Sequence, residues 1–115
     1  VATCCAHEPW QRAGLDRAGR LLLQEIEAAG ELRTSALAPA RRPMGKKLAA
    51  SLLCASRQEH TERGAHATVL ESWPHLATRT AHAPLATAAL GRRALEDAVA
   101  TWAGEERLLP WQTAR

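Results

Sequence analysis

Phenylalanine and tyrosine are absent from this chain of 115 residues, and isoleucine and methionine each occur once and valine three times. The β-branched and aromatic strand formers are thus nearly missing, and helix becomes the expected material. Leu, Ile, Val and Phe together make up only 20 residues, so the expected core is thin. No apolar run approaches the ~18 residues of a membrane span; the longest leucine cluster is Leu21 to Leu23, and the chain reads as soluble. No basic start leads into an apolar stretch, so no secretory signal is read. Cys4, Cys5 and Cys54 are an odd set without framework spacing, which fits reduced thiols in a cytoplasmic protein better than a disulfide scaffold. The chain starts at Val1 rather than Met, which suggests a fragment or an alternative start codon.

What is abundant is alanine, with 25 residues, and leucine, with 16. Both lead the helix-propensity scale. A net charge of +3 is too small to hold the chain open, so it is expected to fold, at a length suited to about one domain. The charge is unevenly spread. Residues 1–30 carry −1, residues 31–57 carry +5 and residues 58–115 carry −1. The positive stretch consists of Arg33, Arg41, Arg42, Lys46, Lys47 and Arg57, opposed by Glu31 alone. A local basic segment on a near-neutral body suggests a polyanion footprint, since phosphate contacts release counterions. The competing account is a solvated helix face.

Leu15, Ala18, Leu22, Ile26 and Ala29 recur at steps of three and four, predicting a helix that Gly30 stops. Glu31-Leu32-Arg33 reads as a short extended piece. Thr34 or Ser35 could then cap a short helix carrying Leu37, which Pro39 and Pro43 end around Arg41 and Arg42. A third helix is expected from about Gly45, with Leu48, Ala49, Leu52 and Leu53 on one side and Lys46, Lys47, Ser51 and Arg57 at other angles. Glu59-His60-Thr61 and Ala65 to Leu70 read as strands joined by Glu62-Arg63-Gly64, with His60 facing His66. The order helix, strand, short helix, helix, strand, turn, strand over 14–73 predicts a winged helix-turn-helix, mainly α with a small β-hairpin. Residues 1–13 are then an N-terminal extension and 74–115 a C-terminal helical segment.

An internal repeat extends the pattern. Leu32-Arg33-Thr34-Ser35-Ala36-Leu37 recurs as Leu85-Ala86-Thr87-Ala88-Ala89-Leu90, and Gly45-Lys46-Lys47 as Gly91-Arg92-Arg93. The second copy continues through Leu95, Ala98, Val99 and Trp102 to Leu108-Leu109 before Pro110. On that reading one winged helix is followed by part of a second, and Arg92 and Arg93 are the second module's DNA-binding candidates.

The run from Arg17 to Leu32, followed by a Lys-Leu-rich helix and a hairpin ending Leu70-Glu71-Ser72-Trp73, resembles a bacterial winged-helix domain. That likeness covers about residues 14–73 and implies binding to double-stranded DNA. More loosely, the tandem arrangement is similar to the winged-helix DNA glycosylases that unhook alkylated and crosslinked bases. Those enzymes are much longer and use a Gln-x-Gln or Gln-x-Asp type motif, which Gln58-Glu59-His60 and Trp111-Gln112-Thr113 do not match. No catalytic residue carries over.

Other chemistry is sparse. Cys4, Cys5 and His7 could be metal ligands, with Cys54, His60 or His66 completing a set, but adjacent cysteines rarely supply two ligands to one site and no C-x-x-C pair exists, so no structural metal or cofactor is expected. Met44-Gly45-Lys46-Lys47 lacks the upstream glycine and the hydroxyl residue of a Walker motif. The serines sit in no nucleophile elbow. Trp73 and Trp102 are expected in the core, with Trp10 and Trp111 left open. Lys46, Lys47 and Ser51 are expected on the groove-facing helix, with Arg41, Arg42 and Arg57 on phosphates and Arg63 at the wing tip. The helix contains no Asn or Gln to read adenine, so phosphate contacts should dominate. The alternatives are a protein-interaction or homodimerisation module whose partner face is Leu95, Val99 and Trp102, and a fragment of a repair enzyme.

Overall fold

In the computed structural model, residues 2–5, 7–83, 87–102 and 109–113 are described. Two short helices come first, α1 (Ala2–Cys5) and α2 (Pro9–Arg12), then α3 (Arg17–Ala29) and the strand β1 (Glu31–Arg33). Next come α4 (Arg42–Ala50), the strands β2 (Ala55–His60) and β3 (His66–Glu71), and the helices α5 (Trp73–Arg79), α6 (Ala88–Trp102) and α7 (Pro110–Thr113). The protein is mainly helical with a three-stranded antiparallel sheet in the order β1-β3-β2. No helix among the described residues is long and apolar enough to cross a membrane.

The first long helix forms as its periodicity predicts. Asp16 caps it by accepting from the Gly19 amide at 2.8 Å, and Leu22, Leu23 and Ile26 are buried along one stripe. Gly30 ends it at φ +83°, with the His75 ring so close that an added Cβ would lie 2.5 Å from it. The Gly30 carbonyl then accepts from the Ser72 amide at 2.8 Å, joining the start of β1 to the end of β3. On the other side of the core, Gly45 lets α4 approach β3: a Cβ there would meet Leu70 Cδ1 at 2.8 Å.

Six leucines, Ile26 and Cys54 make the core. Each fully buried leucine contributes roughly 1.5–3 kcal/mol, and no aromatic ring is among these residues. Trp73, expected in the core, is not among these residues; it is half-buried, its indole donating to the Leu52 carbonyl at 2.8 Å. Trp102 is 88% exposed, contrary to the core position expected for it. The helix that carries it contacts α1, and its Arg92 pairs with Glu8 beyond that short helix.

Three further expectations change. The short helix after β1 is instead two 3-10 turns, Thr34–Ala36 and Pro39–Arg41. Ala38, which precedes Pro39, is extended, and Pro39 has no amide to donate, so the first turn cannot continue as an α-helix. α4 starts three residues earlier than expected and stops at Ala50. Leu52 turns left-handed at φ +55°, and the amides of Leu52 and Leu53 donate to the carbonyls of Ala49 and Leu48, each at 3.0 Å, which is a Schellman ending with leucine in the glycine place. Ser51 is therefore the helix cap, and Arg57 lies on β2 rather than on the helix.

The hairpin was expected and forms, with Gly64 at φ +74° in its turn. β2 begins at Ala55, earlier than expected, and pairs residue for residue from Ala55↔Glu71 to His60↔His66. Gln11 ties the described part of the N-terminal segment to the body. Buried Gln11 donates from its side-chain amide to the carbonyls of Cys4 and Leu52, each at 3.0 Å. The two copies of the sequence repeat differ where both are described: Thr34–Ala36 is a 3-10 turn, whereas Ala88–Leu90 opens α6. Leu85, Ala86 and residues 103–108 lie outside the described residues.

Candidate nucleic-acid interface

Burial of Gly45 and Leu48 turns one side of α4 to the core. Arg42 and Lys46, four residues and thus about one turn apart, lie on the side of α4 away from Leu48. Both are exposed, and neither makes an ion pair with a described residue. Lys47 is exposed as well, and its Nζ donates to the Gly14 carbonyl at 2.5 Å, binding the α2–α3 loop to α4. Arg63 stands exposed in the β2–β3 turn. Ser51, the helix cap, is half-buried.

The other arginines of the basic segment are held by carboxylates. Arg41 makes a two-pronged contact with Glu25, at 2.8 and 3.1 Å; this bond raises the arginine's pKa and lowers that of Glu25. Arg57 donates to Glu31 and Glu59 at 2.7 Å and to Glu71 at 3.1 Å. Arg33 reaches Glu59 at 3.2 Å. Alternation along β2 explains the separation: odd positions turn Arg57 and Glu59 to one sheet face, and even positions lie on the face of Leu70, which packs on α4. Thus the +5 of residues 31–57 reaches solvent unpaired chiefly through Arg42, Lys46 and Lys47.

At the centre of the ionic face sits Glu71, only 1% exposed. Arg79 contacts it with two nitrogens, Nε to Oε1 at 2.7 Å and a terminal nitrogen to Oε2 at 3.0 Å. Arg57 adds a third donor, and His75 Nδ1 lies 2.8 Å from Oε1. The Arg79 contact, followed by those of His75 and Arg57, outweighs the cost of burial and lowers the Glu71 pKa from 4.5 to about 2. Glu31, Glu71 and His75 place one ligand atom each within 4.8 Å of one another, the spacing of a cation site. Two guanidiniums already satisfy the central carboxylate, and their charge opposes a metal ion. Sequence reasoning missed this cluster. Glu71 and His75 at i,i+4 gave a local hint, but Arg57 joins only through strand register.

At the C-terminal end, Arg92 is occupied too. It pairs with Glu8 and lies 5.1 Å over the Trp111 ring, and Trp111 stands 5.7 Å from Trp10. Arg93, next to it, is exposed and makes no ion pair with a described residue. The cysteines offer no ready nucleophile: burial raises the Cys54 pKa to about 12, and desolvation also raises those of Cys4 and Cys5. The chain matches no family model, no curated protein and no solved structure, so the reading of its basic face rests on its own residues and their geometry.

Proposed function

We propose that this chain is a DNA-binding module of the winged helix-turn-helix type that grips duplex DNA mainly through its phosphates. The observation that carries the reading is the exposed, unpaired Arg42–Lys46 face of α4. Lys47 is beside it, and the hairpin bearing Arg63 follows in the chain. In the winged-helix arrangement the third helix enters the major groove and the hairpin lies along the backbone. Arg41, Arg57 and Arg92 drop out of the expected contact set because carboxylates hold them. Arg93 stands apart on α6, the helix assigned to the second module.

Fluorescence anisotropy with a random-sequence duplex, run from low to moderate salt, tests the proposal. Binding is expected to be weak and to weaken linearly with log salt. Arg42→Ala with Lys46→Ala should reduce the salt slope by roughly 2 and weaken all sequences alike. No binding at low salt sinks the idea.

A second reading, a protein-interaction or dimerisation module, is favoured by α6, where Leu95 is 40% and Trp102 88% exposed. Light scattering separates the two. A dimer that Leu95→Ser or Trp102→Ser dissociates, in a protein indifferent to DNA, favours this reading.

A further inference from the structure

The geometry points to a two-imidazole site for a late first-row divalent cation, formed by His60 and His66 at the end of the hairpin. These residues are directly opposed partners in the last rung of the β2–β3 ladder. Side chains on such partners leave the same face of the sheet, with Cβ atoms about 4.5–5.5 Å apart. The rings stand 4.4 Å apart, centre to centre, and are tilted by 55°. Two nitrogens bound to one tetrahedral ion at about 2.0–2.1 Å lie roughly 3.3 Å apart. Small rotations of two exposed side chains therefore bring the rings to that spacing.

Neither ring has a competing partner. His7 faces Glu27 at 3.2 Å and His75 is held by Glu71, whereas His60 and His66 make no hydrogen bond or ion pair with a described residue through their side chains. Both are exposed, so an ion reaches them without opening the core. The backbone holds them at fixed register, and the tight turn Thr61–Ala65 is closed by the Thr61 amide donating to the Ala65 carbonyl at 2.8 Å. Ordering two ligands thus costs little on binding. No third His, Cys, Asp or Glu among the described residues completes a closed set there. The remaining coordination positions belong to water, which makes the site exchangeable rather than structural. Imidazole pairs suit Cu²⁺, Ni²⁺ and Zn²⁺, with Cu²⁺ held most tightly, and do not suit Mg²⁺ or Ca²⁺. This inference does not depend on DNA binding.

The test is a Ni²⁺ titration of the whole chain at pH 7.5, followed by NMR of the histidine ring protons, with His60→Gln, His66→Gln and His82→Gln. The expected result is joint broadening of the His60 and His66 signals at one equivalent, ahead of His82. Either hairpin variant should lose affinity by on the order of tenfold or more, and the His82 variant should match the parent. Metal-free circular dichroism checks that each variant folds. A hairpin variant with parental affinity overturns the proposal. So does Ni²⁺ held at the N-terminal thiols while the His60 and His66 signals stay unchanged.

Discussion

Replacing Glu71 by Gln keeps the side-chain shape and removes the charge that Arg57, His75 and Arg79 surround. The carboxyl pKa falls from 4.5 to about 2 in the folded chain, and at 1.36 kcal/mol per unit this is worth about 3 kcal/mol at neutral pH. Arg79 is 42% exposed and Arg57 25%, so water can take over part of their solvation once the charge is gone. A loss of about 2–3 kcal/mol is therefore expected, which lowers Tm by about 10 °C for a domain of this size. The pH dependence carries a definite sign. Because the folded pKa is depressed, the contribution is fully present well above pH 4.5 and is lost as pH falls toward 2. Urea unfolding of both proteins at pH 7, 5, 4 and 3 should give a gap in stability that shrinks by more than half at the lowest pH. Glu8, Glu25 and Glu59 also have lowered pKa values, but they are present in both proteins and cancel in the difference. A gap of the same size at pH 3 as at pH 7 would show that Glu71 acts through packing and not through charge, and would refute the reasoning.

Other substitutions probe other links. Gln11→Ala removes the donor shared by the Cys4 and Leu52 carbonyls and should cost about 1–3 kcal/mol in urea unfolding, since the buried contact to Cys4 is lost while the Leu52 carbonyl keeps only the Trp73 indole. Ala81→Gly should stabilise the protein by about 0.5–1 kcal/mol: Ala81 is exposed and left-handed at φ +51°, at the end of α5, where glycine adopts that conformation without strain. Trp102→Ser should change stability by less than about 0.5 kcal/mol, because the ring is 88% exposed. A thermal melt that drops sharply would instead place this tryptophan in the fold's support.

Local signals along the chain predict several elements correctly. The three-and-four spacing from Leu15 to Ala29 and the stop at Gly30 correspond to a helix from Arg17 to Ala29. The tight turn around Gly64 sets the register that brings His60 opposite His66. These features depend on residues a few positions apart, so periodicity and turn chemistry suffice to read them. The end of α4 was not legible, because leucine rather than glycine takes the left-handed position at residue 52. Nor was the short helix that two 3-10 turns replace, where two prolines and a residue before proline leave too few helical positions.

By itself, the sequence determined a helix-rich chain with a thin leucine core, one hairpin and a positive segment between residues 31 and 57. Only the tertiary structure decided which of those charges face outward. Arg41, Arg57 and Arg92 meet carboxylates 16, 14 and 84 residues away, and Arg42 and Lys46 meet none among the described residues. Charge adds along a chain without regard to direction, whereas pairing depends on which face of a strand or helix each side chain leaves and what lies across from it. That is why a net charge of +5 read from the sequence becomes, in the folded protein, a narrow basic face on α4 and an ionic lock on the far side of the sheet.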